Sequence, residues 1–196
     1  MPVFIRRENP PAYTDCRQYK PFLRRDFLGR CVYCERTEAY LGGDEAFEVE
    51  HFRPKSRFPE LVCSYPNLYY ACRRCNGHKS DTWPSDEQMA RGLRFADPCE
   101  EDLWLHHLRE REDGSVEEKT TCGAYSSRHI RLDREALRRW RRLRSEAQRD
   151  LPLLIETMHM LEQLRASLER PDAKAEVRLI ALKRRIEESR LRFSIG

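Results

Sequence analysis

FEVEHFRPKSRFPELVCSYPNLYYACRRCNGHKSD, residues 47–81, decides the fold. It opens on a run in which Phe47 and Val49 alternate with acidic residues, the period of a strand with one face buried. That strand is expected over residues 46–52, with Pro54 ending it and Pro59 breaking up the loop that follows. Leu68, Tyr69, Tyr70 and Ala71 are β-prone and give a second strand. Residues 73–82 then read as a helix, stopped by Pro84. The order strand, loop, strand, helix makes a ββα unit.

Two cysteine pairs bracket the first strand, Cys31-Val-Tyr-Cys34 upstream and Cys72-Arg-Arg-Cys75 downstream. A CxxC lets two thiolates from one tight turn reach one ion, so the pairs together predict a tetrahedral Cys₄ zinc site. Four thiolates fill the coordination sphere, which makes the zinc structural and leaves no open position for chemistry. A redox CxxC is the competing reading. It usually occurs once and in a thioredoxin-like βαβ setting, which this sequence lacks. Cys16, Cys63, Cys99 and Cys122 are scattered and read as small buried hydrophobes.

Between the pairs stand residues suited to phosphodiester hydrolysis. That reaction needs an activated water and a cation against the charge on the phosphoryl group. His51 titrates near working pH and suits the role of general base. Glu50 offers a hard anionic oxygen and Asn76 a neutral one, a donor set for Mg²⁺ or Mn²⁺, which keep part of their water shell. Neighbours on a strand point to opposite faces, so Glu50 and His51 reach one phosphate only where the strand ends or twists. Arg53, Lys55, Arg57 and Lys79 flank these residues as candidate phosphate contacts, against a solvated surface as the alternative.

The arrangement resembles the HNH endonuclease family, the ββα-metal nucleases, in the subgroup with a four-cysteine zinc site. The likeness runs over residues 27–97. It implies that Glu50 and Asn76 hold the catalytic ion, that His51 is the general base, and that Asn67 orients His51. On its own Asn67 reads equally as the turn residue after Pro66. The family's usual acidic residue is Asp, where this chain has the longer Glu50. Several relatives carry His as the last ligand; His78 is nearby, but two residues past Asn76 on a helix it faces away.

More loosely, RQYKPFLRRDF, VEHFRPKS, NLYYACRRCN and FADP resemble the small HNH effectors of bacterial anti-phage systems of the Septu type, which work beside an ATPase. The resemblance implies DNA as substrate and an ATPase or other defence-system subunit as partner. Two other readings stay open. One is an RNase of the same site chemistry. The other is a non-catalytic zinc-ribbon module that binds nucleic acid, against which the intact Glu50, His51, Asn67 and Asn76 argue.

Outward from this core, residues 1–26 are an extended arm followed by a short helix, begun at Pro21 and closed by Gly29. The zinc-stapled nuclease core covers residues 27–98, with a loop at Gly42-Gly43. Residues 99–132 read as a separate hairpin extension, turned at Asp113-Gly114 as type I′. From Asp133, a candidate cap, Leu137, Trp140, Leu143, Ala147 and Leu151 recur at helical spacing. Pro152 either kinks this helix or begins another, and Leu154, Met158, Leu161, Leu164 and Leu168 continue the stripe. Arg170-Pro171-Asp172 breaks it before a last helix, which makes residues 133–196 a helical hairpin. Its apolar stripe needs a cover, from a partner or a second copy. Arg134, Arg138, Arg139, Arg141, Arg142 and Arg144 either track nucleic acid or face solvent.

Charged residues make up 36% of the 196-residue chain, so the core is small and a metal staple is the expected remedy. The heavy use of arginine suits a polyanionic partner better than a membrane. No apolar run approaches membrane-spanning length, and residues 1–13 carry no signal-peptide pattern, so a cytoplasmic protein is expected. The fold class is α+β, a zinc-stapled ββα core with a helical C-terminal appendage.

Overall fold

The computed structural model describes residues 4–166 and 173–193. They fall into two compact units, Met1–Trp140 and Arg141–Gly196. The first begins with a segment that is packed rather than free. Phe4 is buried, the Arg6 guanidinium donates to the carbonyls of Tyr65 (3.0 Å) and Leu68 (2.6 Å), and Arg7 pairs with Asp26 at 2.8 Å. Helix α1 (Lys20–Asp26) has its proline in the first turn. Gly29, at φ +63°, donates its N–H to the Arg24 carbonyl at 2.8 Å and closes the helix as expected.

The cysteine turn of residues 31–34 follows. The expected loop at Gly42-Gly43 is preceded by a one-turn helix α2 (Glu38–Leu41), capped by Thr37 and ended by Gly42 in the left-handed region. Strands β1 (Phe47–His51) and β2 (Leu68–Cys72) pair antiparallel, with Phe47 opposite Cys72, Glu50 opposite Tyr69 and His51 opposite Leu68. Helix α3 (Arg73–Lys79) starts where β2 ends and packs on both strands, which completes the ββα unit. A short helix α4 (Asp86–Ala90) after Pro84 carries a Ser85/Gln88 capping box.

Residues 99–132 do not stand apart. Strands β3 (Leu108–Glu110) and β4 (Val116–Glu118) form the expected hairpin, but the stretch before β3 is a π-helical turn, Leu103–His107. The connection is not type I′. Gly114 has φ +77°, while Asp113 is not in the left-handed region and its carboxylate accepts from Ser115 N–H at 2.9 Å. A Cβ at Gly114 would also collide with the Arg138 carbonyl.

Helix α5 (Thr121–Ile130), capped by Thr120, was not foreseen. Its Cys122, Tyr125 and Ile130, with Leu103, Leu108, Leu132 and Leu137, belong to the same buried cluster as the cysteines and β2. Asp133, two residues before α6 (Glu135–Ala166), accepts from Val116 N–H at 2.8 Å and pairs with Arg138, tying the hairpin to the start of that helix.

Helix α6 enters the second unit at Arg141 and continues through Pro152; within that unit α7 (Ala173–Phe193) is antiparallel to it, with Lys183–Glu162 and Arg165–Glu176 contacts of 2.5 Å each. Leu151, Leu179 and Ile186 are buried. The stripe is covered only in part: Leu154, Met160, Leu161, Leu164, Val177 and Ile180 stay exposed. The expected break at Arg170-Pro171-Asp172, like Leu168, lies outside the described residues. Among the described residues no helix is long and apolar enough to cross a membrane.

Candidate active site and metal centre

Cys31 and Cys34 sit on a tight turn in which Glu35 N–H bonds the Cys31 carbonyl at 2.8 Å and Glu35 takes φ +58°. Cys72 ends β2 and Cys75 lies one turn into α3, so the strand-to-helix junction presents the second pair. All four sulfurs are buried and lie within 4.8 Å of one another, with Cys34 and Cys72 at 3.9 Å. This spacing and donor set fit a tetrahedral Zn²⁺. Two cations stand against the sulfurs, Arg36 buried and Arg134 half-buried. Arg134 Nη2 donates to Cys75 Sγ at 3.2 Å. Burial penalises the Arg36 charge, but Cys34, Cys72 and Cys75 outweigh it and raise its pKa. A zinc tetrathiolate carries net charge −2, so cations beside it are what that group requires. Arg134, expected on a solvent or nucleic-acid face, turns inward to the cysteines.

The second centre is an open cleft of about 650 Å³ along β1 and α3, lined by Glu48, Glu50, His51, Lys55, Asn76 and Asp81 among others. Glu50 and His51, neighbours at the end of a strand, both reach it. Their environments differ. His51 Nε2 lies 3.0 Å from the Val62 carbonyl. A carbonyl only accepts, so Nε2 carries the proton and, in the neutral ring, Nδ1 has the lone pair. Burial holds the imidazole below its ordinary value, the Val62 carbonyl opposes this, and Lys55 and Lys79 add to it. The ring is therefore neutral at neutral pH, the form a base needs.

Glu50 departs from the alternating pattern that would put it in solvent. It is 3% exposed, 2.7 Å from Lys79 Nζ, and accepts from the Tyr33 hydroxyl at 3.1 Å. Burial pushes its carboxyl above the ordinary value, against the pull of Lys79. Tyr33 belongs to the first CxxC turn, so the cysteine centre directly orients the acid of the cleft. Neither Tyr33 nor the buried Lys79 pairing was legible in the sequence. Lys79, expected among phosphate contacts, is fully buried and also donates to the His51 carbonyl at 2.9 Å.

Breaking a buried pair by removing one partner costs about 3–5 kcal/mol. Lys79→Met is therefore expected to lower stability by that order, measured by chemical denaturation. Adding Glu50→Gln should recover part of the loss. A Lys79→Met midpoint equal to wild type would contradict the pairing.

Asn67 does not touch the His51 ring. Its side chain accepts from Arg53 N–H (2.8 Å) and donates to the carbonyls of Arg53 (3.0 Å) and Leu61 (3.3 Å). It clamps the two ends of the loop that delivers Val62 to His51, so any orienting effect on the base is indirect. Asn76 lines the cleft and donates to Glu48 Oε2 at 2.8 Å, whereas His78 is not among the lining residues. Of the expected phosphate contacts only Lys55 lines the cleft; Arg53 lies over Phe58 and Trp83, and Arg57 donates to the Trp83 carbonyl. Arg17 and Lys20 line it too, delivered by the turn leading into α1.

Among the described residues a second grouping, Glu101, His107 and Cys122, also has ligand-type atoms within 4.8 Å. Its Glu101–His107 contact is a 2.8 Å hydrogen bond, and Arg94 pairs with the same carboxylate and holds it down to about 2. A partly exposed network of Arg94, Glu101 and His107 accounts for it without a metal.

Residues 31–82 match the HNH endonuclease family and form an HNH domain. The chain is 42% identical over 65 residues to the Septu protein PtuB of Bacillus thuringiensis, a match covering 31% of this chain. It spans only 24% of the relative's length. No solved structure matches the chain.

Proposed function

We propose that the HNH domain makes this protein a metal-dependent endonuclease that hydrolyses phosphodiester bonds in DNA. One observation carries the reading: His51 is fixed through Nε2–H to Val62, with Nδ1 unprotonated, in the same cleft as Glu50 and Asn76. Glu50 and Asn76 would hold Mg²⁺ or Mn²⁺, and their hard oxygen donors fit either ion. When bound, the ion supplies electrostatic stabilisation of the charge on the phosphoryl oxygens.

The chain's own residues do the rest. His51 Nδ1 takes a proton from the attacking water as its oxygen adds to phosphorus and one P–O ester bond breaks, the leaving oxygen taking up a proton from solvent water. Val62, held by the Asn67 clamp, keeps the ring aimed. Lys55, with Arg17 and Lys20, offers positive charge to the flanking phosphates. Zn²⁺ on the four cysteines is structural, and through Tyr33 it fixes Glu50. The likeness to a Septu protein supports a place as the nuclease of an anti-phage defence system. The exposed apolar residues of the C-terminal unit offer a surface for an ATPase or another defence-system subunit.

The test is incubation of the full chain with plasmid, linear duplex, single-stranded DNA and RNA, each with Mg²⁺, Mn²⁺ or EDTA. Cleavage of DNA that needs the ion and stops in EDTA is expected. Cleavage of RNA alone would make it an RNase of the same chemistry. Binding without cleavage under any ion would make it a zinc-ribbon binding module.

A further inference from the structure

Two residues of β1 and two of α3 face each other as rungs across the cleft. Glu48 and Glu50 share one strand face by the period of two, and Asn76 and Lys79 share one helix face at i, i+3. Lys79 meets Glu50 at 2.7 Å, with both side chains almost fully buried. Asn76 meets Glu48 at 2.8 Å. The rungs differ in charge. Lys79 neutralises Glu50, so an ion bound to Glu50 and Asn76 alone would meet a donor set of near-zero net charge. Asn76 is neutral and leaves the charge of Glu48 standing at the cleft wall. The other cation near Glu48, Arg73 Nε at 3.4 Å, is two-thirds exposed and screened by solvent.

The hydrogen bond also fixes which way Asn76 points. A carboxylate accepts and never donates, so the Asn76 atom facing Glu48 is the NH₂ group. Its carbonyl oxygen, the only part able to bind a cation, is thereby turned away from Glu48 and held in one orientation.

We infer that Glu48 is the positioning residue of the cation site: it orients the Asn76 amide for the ion and supplies a negative charge, offset only by the solvent-screened Arg73, that draws a divalent cation into the cleft. The inference rests on the nuclease reading above and extends it to a residue outside the Glu50–His51–Asn67–Asn76 set. Ala71, opposite Glu48 on β2, is too small to take over either role.

The experiment is Mn²⁺ binding by calorimetry on the full, zinc-loaded chain without nucleic acid, alongside zinc content and thermal midpoint. Loss of a residue that orients a ligand typically weakens metal affinity about 10–100-fold. Glu48→Ala is expected to lose that much with zinc and midpoint unchanged. Glu48→Gln, which keeps an acceptor for the Asn76 amide but not the charge, should lose less. In an Asn76→Ala background Glu48→Ala should cost less than it does in wild type, since the orienting share of its effect is then already gone and only the charge is lost. Wild-type Mn²⁺ affinity in Glu48→Ala would overturn the proposal, and so would fully additive losses in the double variant. If Asn76→Ala itself binds Mn²⁺ as wild type does, the cation-site reading fails, and this inference with it.

Discussion

His51→Ala is expected to lower DNA cleavage by about 10²–10⁴-fold, the contribution of a positioned general base, while zinc content and thermal midpoint match wild type. The separation of effects follows from the contacts. His51 makes one side-chain hydrogen bond, to the Val62 carbonyl, and is neither a cysteine-site ligand nor fully buried. Its loss removes proton acceptance without opening the core.

The pH profile gives a second reading of the same residue. The base works as neutral imidazole, so activity falls as pH drops through the His51 pKa. Burial lowers that pKa below the ordinary 6.5, and Lys55 and Lys79 act in the same direction. The acid limb of kcat/KM is therefore expected at a pH below 6.5 and absent from the residual activity of His51→Ala. Wild-type rates in His51→Ala at equal protein and ion would remove His51 from the base role. An acid limb unchanged in its residual activity would assign the titration to another group.

The ββα unit was readable because its signals are local. Alternation in residues 47–51, prolines at 54 and 59, and two CxxC turns each fix backbone within a few residues. The site was readable by residue type for the same reason, but its wiring was not. Glu50 was read as a ligand of the catalytic ion, but its burial against a cation was not legible: Lys79, the partner that lets it turn in, is 29 residues away on another element. The Tyr33 link runs from the metal turn to β1, a contact that spacing does not encode.

Helix α5 escaped for a different reason. Much of its buried face is small or polar, with Cys122, Gly123, Ser126 and Ser127, so it carries little apolar period. Gly123 is there because the backbone of His107 passes against it and would collide with a Cβ. Packing by close approach leaves no hydrophobic stripe to read. Arg134 shows the converse. A run of arginines on a helix reads as a solvated or nucleic-acid face, yet one of them is aimed at Cys75.

Cys72→Ser is expected to remove most of the folded stability of the first unit, the largest structural effect of any single change here. Structural zinc bound by four thiolates contributes about 10–16 kcal/mol to folding in small domains at neutral pH. A whole domain is typically stable by about 5–15 kcal/mol. Loss of one ligand weakens the ion enough for the two quantities to become comparable. Cys72 is also where several connections meet. It pairs with Phe47 across the sheet, ends β2 and begins α3, and β2 accepts Val32 N–H through the Tyr70 carbonyl at 2.9 Å. Releasing it frees the Cys31–Cys34 turn, and with that turn Tyr33 and the orientation of Glu50. The variant should therefore be poorly soluble, low in zinc and inactive together, unlike His51→Ala, in which cleavage alone is lowered. Because an insoluble variant reports little, the same dependence is to be measured on wild-type protein. Elemental analysis should give about one zinc per chain, and a strong chelator should lower the thermal midpoint, with zinc re-addition restoring it. A wild-type protein free of zinc, with all four thiols open to alkylation and an unmoved midpoint in chelator, would show that the cysteines pack without an ion.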